Sequence, residues 1–68
     1  MSDNYMVVAT GQDGRVYTVT FSDYLQAYRY GEVLRDIMDT DAHMFRWDDD
    51  LCEFVKDRIF KAHHKEVI

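Results

Sequence analysis

The chain has no proline, a single cysteine and three glycines in 68 residues. With no Pro-, Gly- or Ser-rich stretch, nothing in it reads as a linker or a low-complexity segment, and one compact domain is expected over residues 1–68. Cys52 has no partner in the chain, which excludes an intramolecular disulfide and a Cys-rich staple. The longest apolar run, Tyr5 to Ala9, is far shorter than the roughly 20 residues that span a bilayer. Met1 to Asn4 is polar and lacks the basic flank of a secretory signal. These absences point to a cytoplasmic protein without a membrane partner. Basic residues are also scarce: eight Lys and Arg against 13 Asp and Glu leave a net charge of −5. Direct nucleic-acid binding, which needs clustered Lys and Arg against phosphates, is not expected.

What is present is a core. Apolar residues make up 47% of the chain, including five Tyr, four Phe, one Trp and four Met, so the composition is not that of a disordered segment. A chain this short buries only about 60% of the surface its unfolded form exposes, so the core must be dense. A homodimer that hides leftover apolar surface is compatible with the same shortage.

The charge is unevenly placed. Residues 36–53 hold Asp36, Asp39, Asp41, Asp48, Asp49, Asp50 and Glu53, with Arg46 as their only Lys or Arg. That stretch sums to −6, and the rest of the chain to +1.

Tyr5 to Thr10 and Arg15 to Phe21 are rich in β-branched and aromatic residues and predict two strands. Gly11-Gln12-Asp13-Gly14 between them is a hairpin signal. A four-residue loop would pair Thr10 with Arg15, and a two-residue Asp13-Gly14 turn would pair Gln12 with Arg15. Either register puts Met6 and Val8 on one face with Tyr17, Val19 and Phe21, expected to be the buried face, and turns Val7 and Ala9 the other way. Ser22 offers an N-cap, and a helix is expected from about Asp23 to Met38. Its stripe is Ala27, Tyr30, Leu34, Ile37 and Met38. Gly31 in mid-helix either allows close packing or marks a kink.

Asp39-Thr40-Asp41 reads as a break. Ala42 to Trp47 then reads as a short strand with Phe45 and Trp47 inward, followed by a helix after Asp48 to about His64. The rival is one long helix from Ala42, which the spacing of Met44, Trp47, Leu51, Val55, Ile59 and Ala62 fits. The expected fold is α+β: a small antiparallel β-hairpin, with or without a third strand, and two helices packed on one face, in the order β-β-α-(β)-α.

No constellation for catalysis stands out, and no cofactor or metal is expected. His43, His63, His64 and Cys52 are zinc-ligand types without zinc-ligand spacing, and no calcium-loop pattern occurs. Cys52, between Leu51 and Phe54, reads as an inert apolar residue. With a helix beginning at Asp48, the three aspartates Asp48, Asp49 and Asp50 are explained as a cap and as charges facing the positive helix end. Lys61, His63, His64 and Lys65 then suit its other end, and Asp57 to Lys61 makes an i,i+4 pair. Asp36, Asp39 and Asp41 sit where the first helix dipole disfavours negative charge, which makes them stronger candidates for binding. Tyr24, Tyr28 and Tyr30 cannot all face one core, so Tyr24 and Tyr28 are further candidate interface residues, with Arg29 and Arg35 nearby.

The expected function is non-catalytic binding to a protein with a basic surface, as an inhibitor or modulator. Asp36, Asp39, Asp41, Asp48, Asp49, Asp50, Glu53, Tyr24 and Tyr28 are the candidate contacts. The alternative is a structural subunit or an obligate homo-oligomer. A short, acidic, aromatic-rich, proline-free chain resembles the small accessory proteins that bacteriophages direct against host enzymes and defence systems, such as anti-CRISPR proteins and DNA mimics. The resemblance is of size and charge over the whole chain and carries over no residue. It implies action in a host cytoplasm, on a target surface of the kind that binds nucleic acid.

Overall fold

The computed structural model describes residues 3–63. Its elements run β1 (Tyr5–Thr10), β2 (Val16–Phe21), α1 (Tyr24–Met38), β3 (Ala42–Asp48) and β4 (Glu53–Phe60). The four strands form one antiparallel sheet in the order β2-β1-β3-β4, and α1 lies across one face, mainly over β1 and β3. The α+β class stands, but the order is β-β-α-β-β.

The first hairpin closes through three residues, Gln12 to Gly14. The Gly11 N–H donates to the Arg15 carbonyl at 2.7 Å, and the Gly14 N–H donates to the Gly11 carbonyl at 3.0 Å. Gly14 has φ +85°, a left-handed conformation that only glycine adopts at no steric cost. This is the type I turn with a glycine bulge that three-residue loops use. An odd loop length reverses the expected parity. Tyr5 pairs with Phe21, Val7 with Val19 and Ala9 with Tyr17, so these six share the helix side. Met6 and Val8 lie on the opposite face. Val7 and Ala9, expected to point away from the core, are fully buried.

The helix starts one residue later than expected. Asp23, not Ser22, is the N-cap, and its carboxylate accepts the Gln26 N–H at 3.0 Å. The helix ends at Asp39, left-handed at φ 56°, whose N–H donates to the Arg35 carbonyl at 2.8 Å. Ala27, Gly31 and Leu34 are its buried residues. Ile37, expected in the stripe, is 75% exposed, because the sheet-facing side runs through Gly31 instead.

The expected second helix is strand β4. Asp48 does accept the N–H groups of Asp50 and Leu51, at 2.9 and 3.1 Å, which are the bonds a helix cap would make. Here they close a four-residue turn, which Cys52 completes at φ 54°. The chain then reverses and pairs with β3, Trp47 opposite Phe54 and Ala42 opposite Phe60. A register shift beside Met44 and Phe45 leaves Asp57 as the extra residue of a bulge. The proposed helix-end role of Lys61 and His63 therefore falls away, as does the Asp57–Lys61 pair; Asp57 lies 4.0 Å from Arg58. His64 and Lys65 lie outside the described residues. Phe45 and Trp47 do not point into the core: Ala42 and Met44 take that side. Cys52 is exposed rather than packed.

The core is a single layer between α1 and the sheet: Val7, Ala9, Ala42, Met44 and Phe60 beneath, Ala27 and Leu34 above. Full burial of Val7 and Met44 contributes about 1.5–3 kcal/mol each. Small residues on both sides bring the helix close to the sheet, and Gly31 is the tightest point. A Cβ at Gly31 would lie 2.7 Å from Phe60 Cδ2, and the Phe60 ring is itself buried. Gly31→Ala is therefore expected to destabilise the protein by about 1–3 kcal/mol, although alanine favours a helix by about 1 kcal/mol. Chemical denaturation measures it; a stabilised variant would show that the ring has room to move.

Candidate protein-docking surface

The acidic stretch that is continuous in sequence is divided in space. Asp36, Asp39 and Asp41 surround the C-terminal end of α1, whereas Asp48, Asp49, Asp50 and Glu53 form the β3–β4 tip. β3 separates the two groups, about 23 Å for seven extended residues.

The first group is tied into the fold. Arg35 donates to Asp36 at 3.0 Å, and His63 lies 3.6 Å from the same carboxylate oxygen. Asp39 closes the helix. Asp41 accepts the Ala62 N–H at 2.8 Å and lies 3.5 Å from Lys61 Nζ, so it fastens the segment after β4 to the start of β3. The Ala62 amide holds the Asp41 carboxyl below its ordinary range; partial burial opposes this, and Lys61 and His43 reinforce it. The contacts of Asp41, and that of Asp36 with His63, cross 20 residues or more of sequence, so helix-end rules could not show them.

Tyr24 and Tyr28 also have partners. Tyr24 meets Tyr5 edge-on at 5.5 Å, and Tyr28 meets Phe60 edge-on at 5.0 Å. The guanidinium of Arg58 sits 4.8 Å from the Tyr28 ring centroid and 6.0 Å from that of Tyr24. The cation of this cluster comes from β4, not from Arg29 or Arg35. Tyr24, at 38% exposure, keeps an accessible edge.

The second acidic group is open. Asp49, Asp50 and Glu53 are exposed, and the ion pair at this tip, Arg46 with Asp48 at 3.9 Å, involves none of them. Asp48 serves the turn, so the free charge of the tip comes from the other three.

The sheet face opposite α1 carries a surface that the expected parity concealed. Alternation along the paired strands brings Met6, Val8, Phe45, Trp47 and Phe54 to this side, each half-buried by its neighbours. Met6 pairs directly with Phe45, and Trp47 packs edge-on against Phe54 at 5.2 Å. No described helix covers them. The signal was present in sequence as Trp47 and Phe54 bracketing an aspartate turn, but it is visible only once residues 53–60 are read as a strand. The apolar face and the acidic tip adjoin, because Trp47 and Phe54 form the last pair but one before the turn.

The architecture defines a small α+β protein with one four-stranded antiparallel sheet and one covering helix. No family model, curated protein or solved structure matches the chain. Among the described residues, no helix is long and apolar enough to cross a membrane, and no three His, Cys, Asp or Glu residues are grouped to hold a metal ion.

The lowered pKa of Asp41 gives a pH dependence. A carboxyl depressed in the folded state stabilises fully above its ordinary pKa of about 3.9, and the contribution is lost as pH falls through the lowered value. The Ala62 amide resonance is therefore expected to titrate with a midpoint below that of an ordinary aspartate. Asp41→Ala should abolish the transition and expose the Ala62 amide to hydrogen exchange. A midpoint at or above the ordinary value would contradict the contact.

Proposed function

We propose that this protein is a non-catalytic binding module. It docks on a partner protein through the uncovered sheet face, with the Asp49-Asp50-Glu53 tip engaging basic groups beside an apolar patch on the target. The observation that carries this reading is the adjacency of an uncovered aromatic surface, centred on Trp47 and Phe54, to an unneutralised acidic turn. Trp anchors in the middle of an interface supply most of its affinity, while charges at the rim steer association and weaken with salt. Docking of this kind inhibits or modulates when the target's basic surface is its working surface, as a nucleic-acid site is. That outcome agrees with the resemblance in size and charge to phage accessory proteins. Asp36 and Asp41 recede from the contact set because their charges are met within the fold. Tyr24 and Tyr28 lie on the helix side and recede with them.

The test is quantitative capture of a target from lysate by tagged protein at low and high salt, with variants in parallel. Trp47→Ala is expected to abolish capture of a specific protein. Asp49→Lys with Asp50→Lys should weaken it at least tenfold at low salt and less at high salt. Asp36→Asn should leave it unchanged. Loss with Asp36→Asn and retention with the other variants would return the site to the helix end.

A further inference from the structure

The two edges of the sheet are finished differently. The β4 edge carries Glu53, Lys56, Asp57 and Arg58, and is interrupted by the bulge at Asp57. Charges and bulges are how natural proteins prevent an edge strand from pairing. β2 has neither. Val16 to Phe21 is uncharged, entirely β-branched or aromatic, and in unbroken register with β1. Because the Gly11 N–H bonds the Arg15 carbonyl, the odd-numbered residues of β2 make the ladder to β1. Alternation then turns the N–H and C=O groups of Val16, Thr18 and Thr20 outward.

The covering layer also stops short of this edge. α1 lies over β1 and β3, which leaves Tyr17, on the helix side of β2, 37% exposed. A shallow hollow of about 370 Å³ opens between Tyr17 and Ile37. Tyr30 meets Phe21 at 5.3 Å, so Val33 and Ile37, three and seven residues further along the helix, overhang the same edge. Both are more than half exposed.

We propose that β2 pairs antiparallel with β2 of a second copy of this chain, with Val19 facing its own counterpart on the two-fold axis. The argument for a second copy is charge complementarity in that register. It sets Arg15 opposite Asp23 of the partner subunit, and by symmetry does so twice. Tyr17 then faces Phe21 of the partner subunit, and Thr18 faces Thr20 of the partner subunit, with their outward backbone groups in bonding position. Centring on Thr18 instead would set Asp23 opposite Asp13 of the partner subunit, a like-charge contact. A shift by one residue would oppose outward groups to groups already bonded to β1. Asp23 caps α1 through Oδ2, which leaves Oδ1 for the guanidinium, and the Arg15 side chain is 78% exposed with only a 3.5 Å contact to Asp13.

The product is an eight-stranded sheet with both helices on one side, their axes about 20 Å apart. That is too far to clash, and near enough for Val33 and Ile37 to cover the new strand pair. Both uncovered faces lie on the other side, so the dimer presents the docking surface twice. The pairing itself does not depend on the docking reading.

Sedimentation velocity over a dilution series from about 100 µM tests it, since a dimer in equilibrium shifts with concentration. The intact chain is expected to run at twice its 8.1 kDa mass at the top of the series. Thr18→Pro removes an outward N–H without touching the β1 ladder and should give a monomer with unchanged circular dichroism. Arg15→Glu, on an exposed side chain, should raise the dissociation constant about tenfold or more, and serves if the proline variant misfolds. The register has its own readout. In a Cys52→Ser background, Val19→Cys should oxidise to a covalent dimer, because facing residues of a non-hydrogen-bonded pair lie within disulfide range, whereas Thr18→Cys should not. A monomer at the highest concentration, a dimer insensitive to Thr18→Pro and Arg15→Glu, or equal cross-linking of the two cysteine variants would overturn the proposal.

Discussion

With Gly14 at φ +85°, the first hairpin closes through three residues, and this odd loop length decides which side of every strand lies beneath the helix. Side chains alternate along a strand, so one residue more or less in the turn would exchange the faces of β1 relative to β2. The observed parity puts Val7 and Ala9 under α1, and pairing carries the choice onward to Met44 and Ala42 in β3 and to Phe60 in β4. The small side chains at Ala9, Ala27, Gly31 and Ala42 then let helix and sheet approach until Phe60 fills the space against Gly31. The same parity sends Met6, Val8, Phe45, Trp47 and Phe54 to the uncovered face. Core and candidate docking surface are thus two consequences of one turn.

Charge follows from this framework. Acids clustered in sequence are pulled to opposite ends of β3, where they meet different surroundings. At the helix end, Asp36 finds Arg35 and His63, and Asp41 finds Lys61 and the Ala62 amide, so the charge is used internally. At the β3–β4 tip, Asp48 is occupied by the turn while Asp49, Asp50 and Glu53 face solvent. The apparent excess of one patch divides into structural carboxylates and a smaller free set beside Trp47. The guarded β4 edge and the bare β2 edge show a similar division of labour along the sheet.

Much of the fold was legible locally. The strands at residues 5–10 and 16–21 and the helix to Met38 follow from β-branched and aromatic content and from helical spacing, whereas Ala42 to Trp47, with no β-branched residue, fits a short strand and the start of a long helix alike. β4 was not legible, for a definite reason. Asp48 accepts the amides two and three residues on, as an N-cap does, and Val55 and Ile59 fall at helical spacing. Helix and turn begin with the same bonds; they separate only at Cys52, where the chain turns left-handed and gains β3 as a partner. Of the candidate site, the acidic tip was visible in sequence, and the aromatic face was not, since it depended on parity and on β4.

The sequence by itself determined what is decided within a few residues: a hairpin after Thr10, a helix from about Asp23 to Met38 with a break at Asp39-Thr40-Asp41, no disulfide within the chain, and enough aromatic and aliphatic surface for a core. Tertiary structure alone decided which aromatics are inside, which acids are neutralised and which edge is open. Those outcomes depend on contacts between residues far apart in the chain, such as Gly31 with Phe60 and Asp41 with Ala62. No local propensity encodes such contacts, because their free energy exists only after the strands have paired.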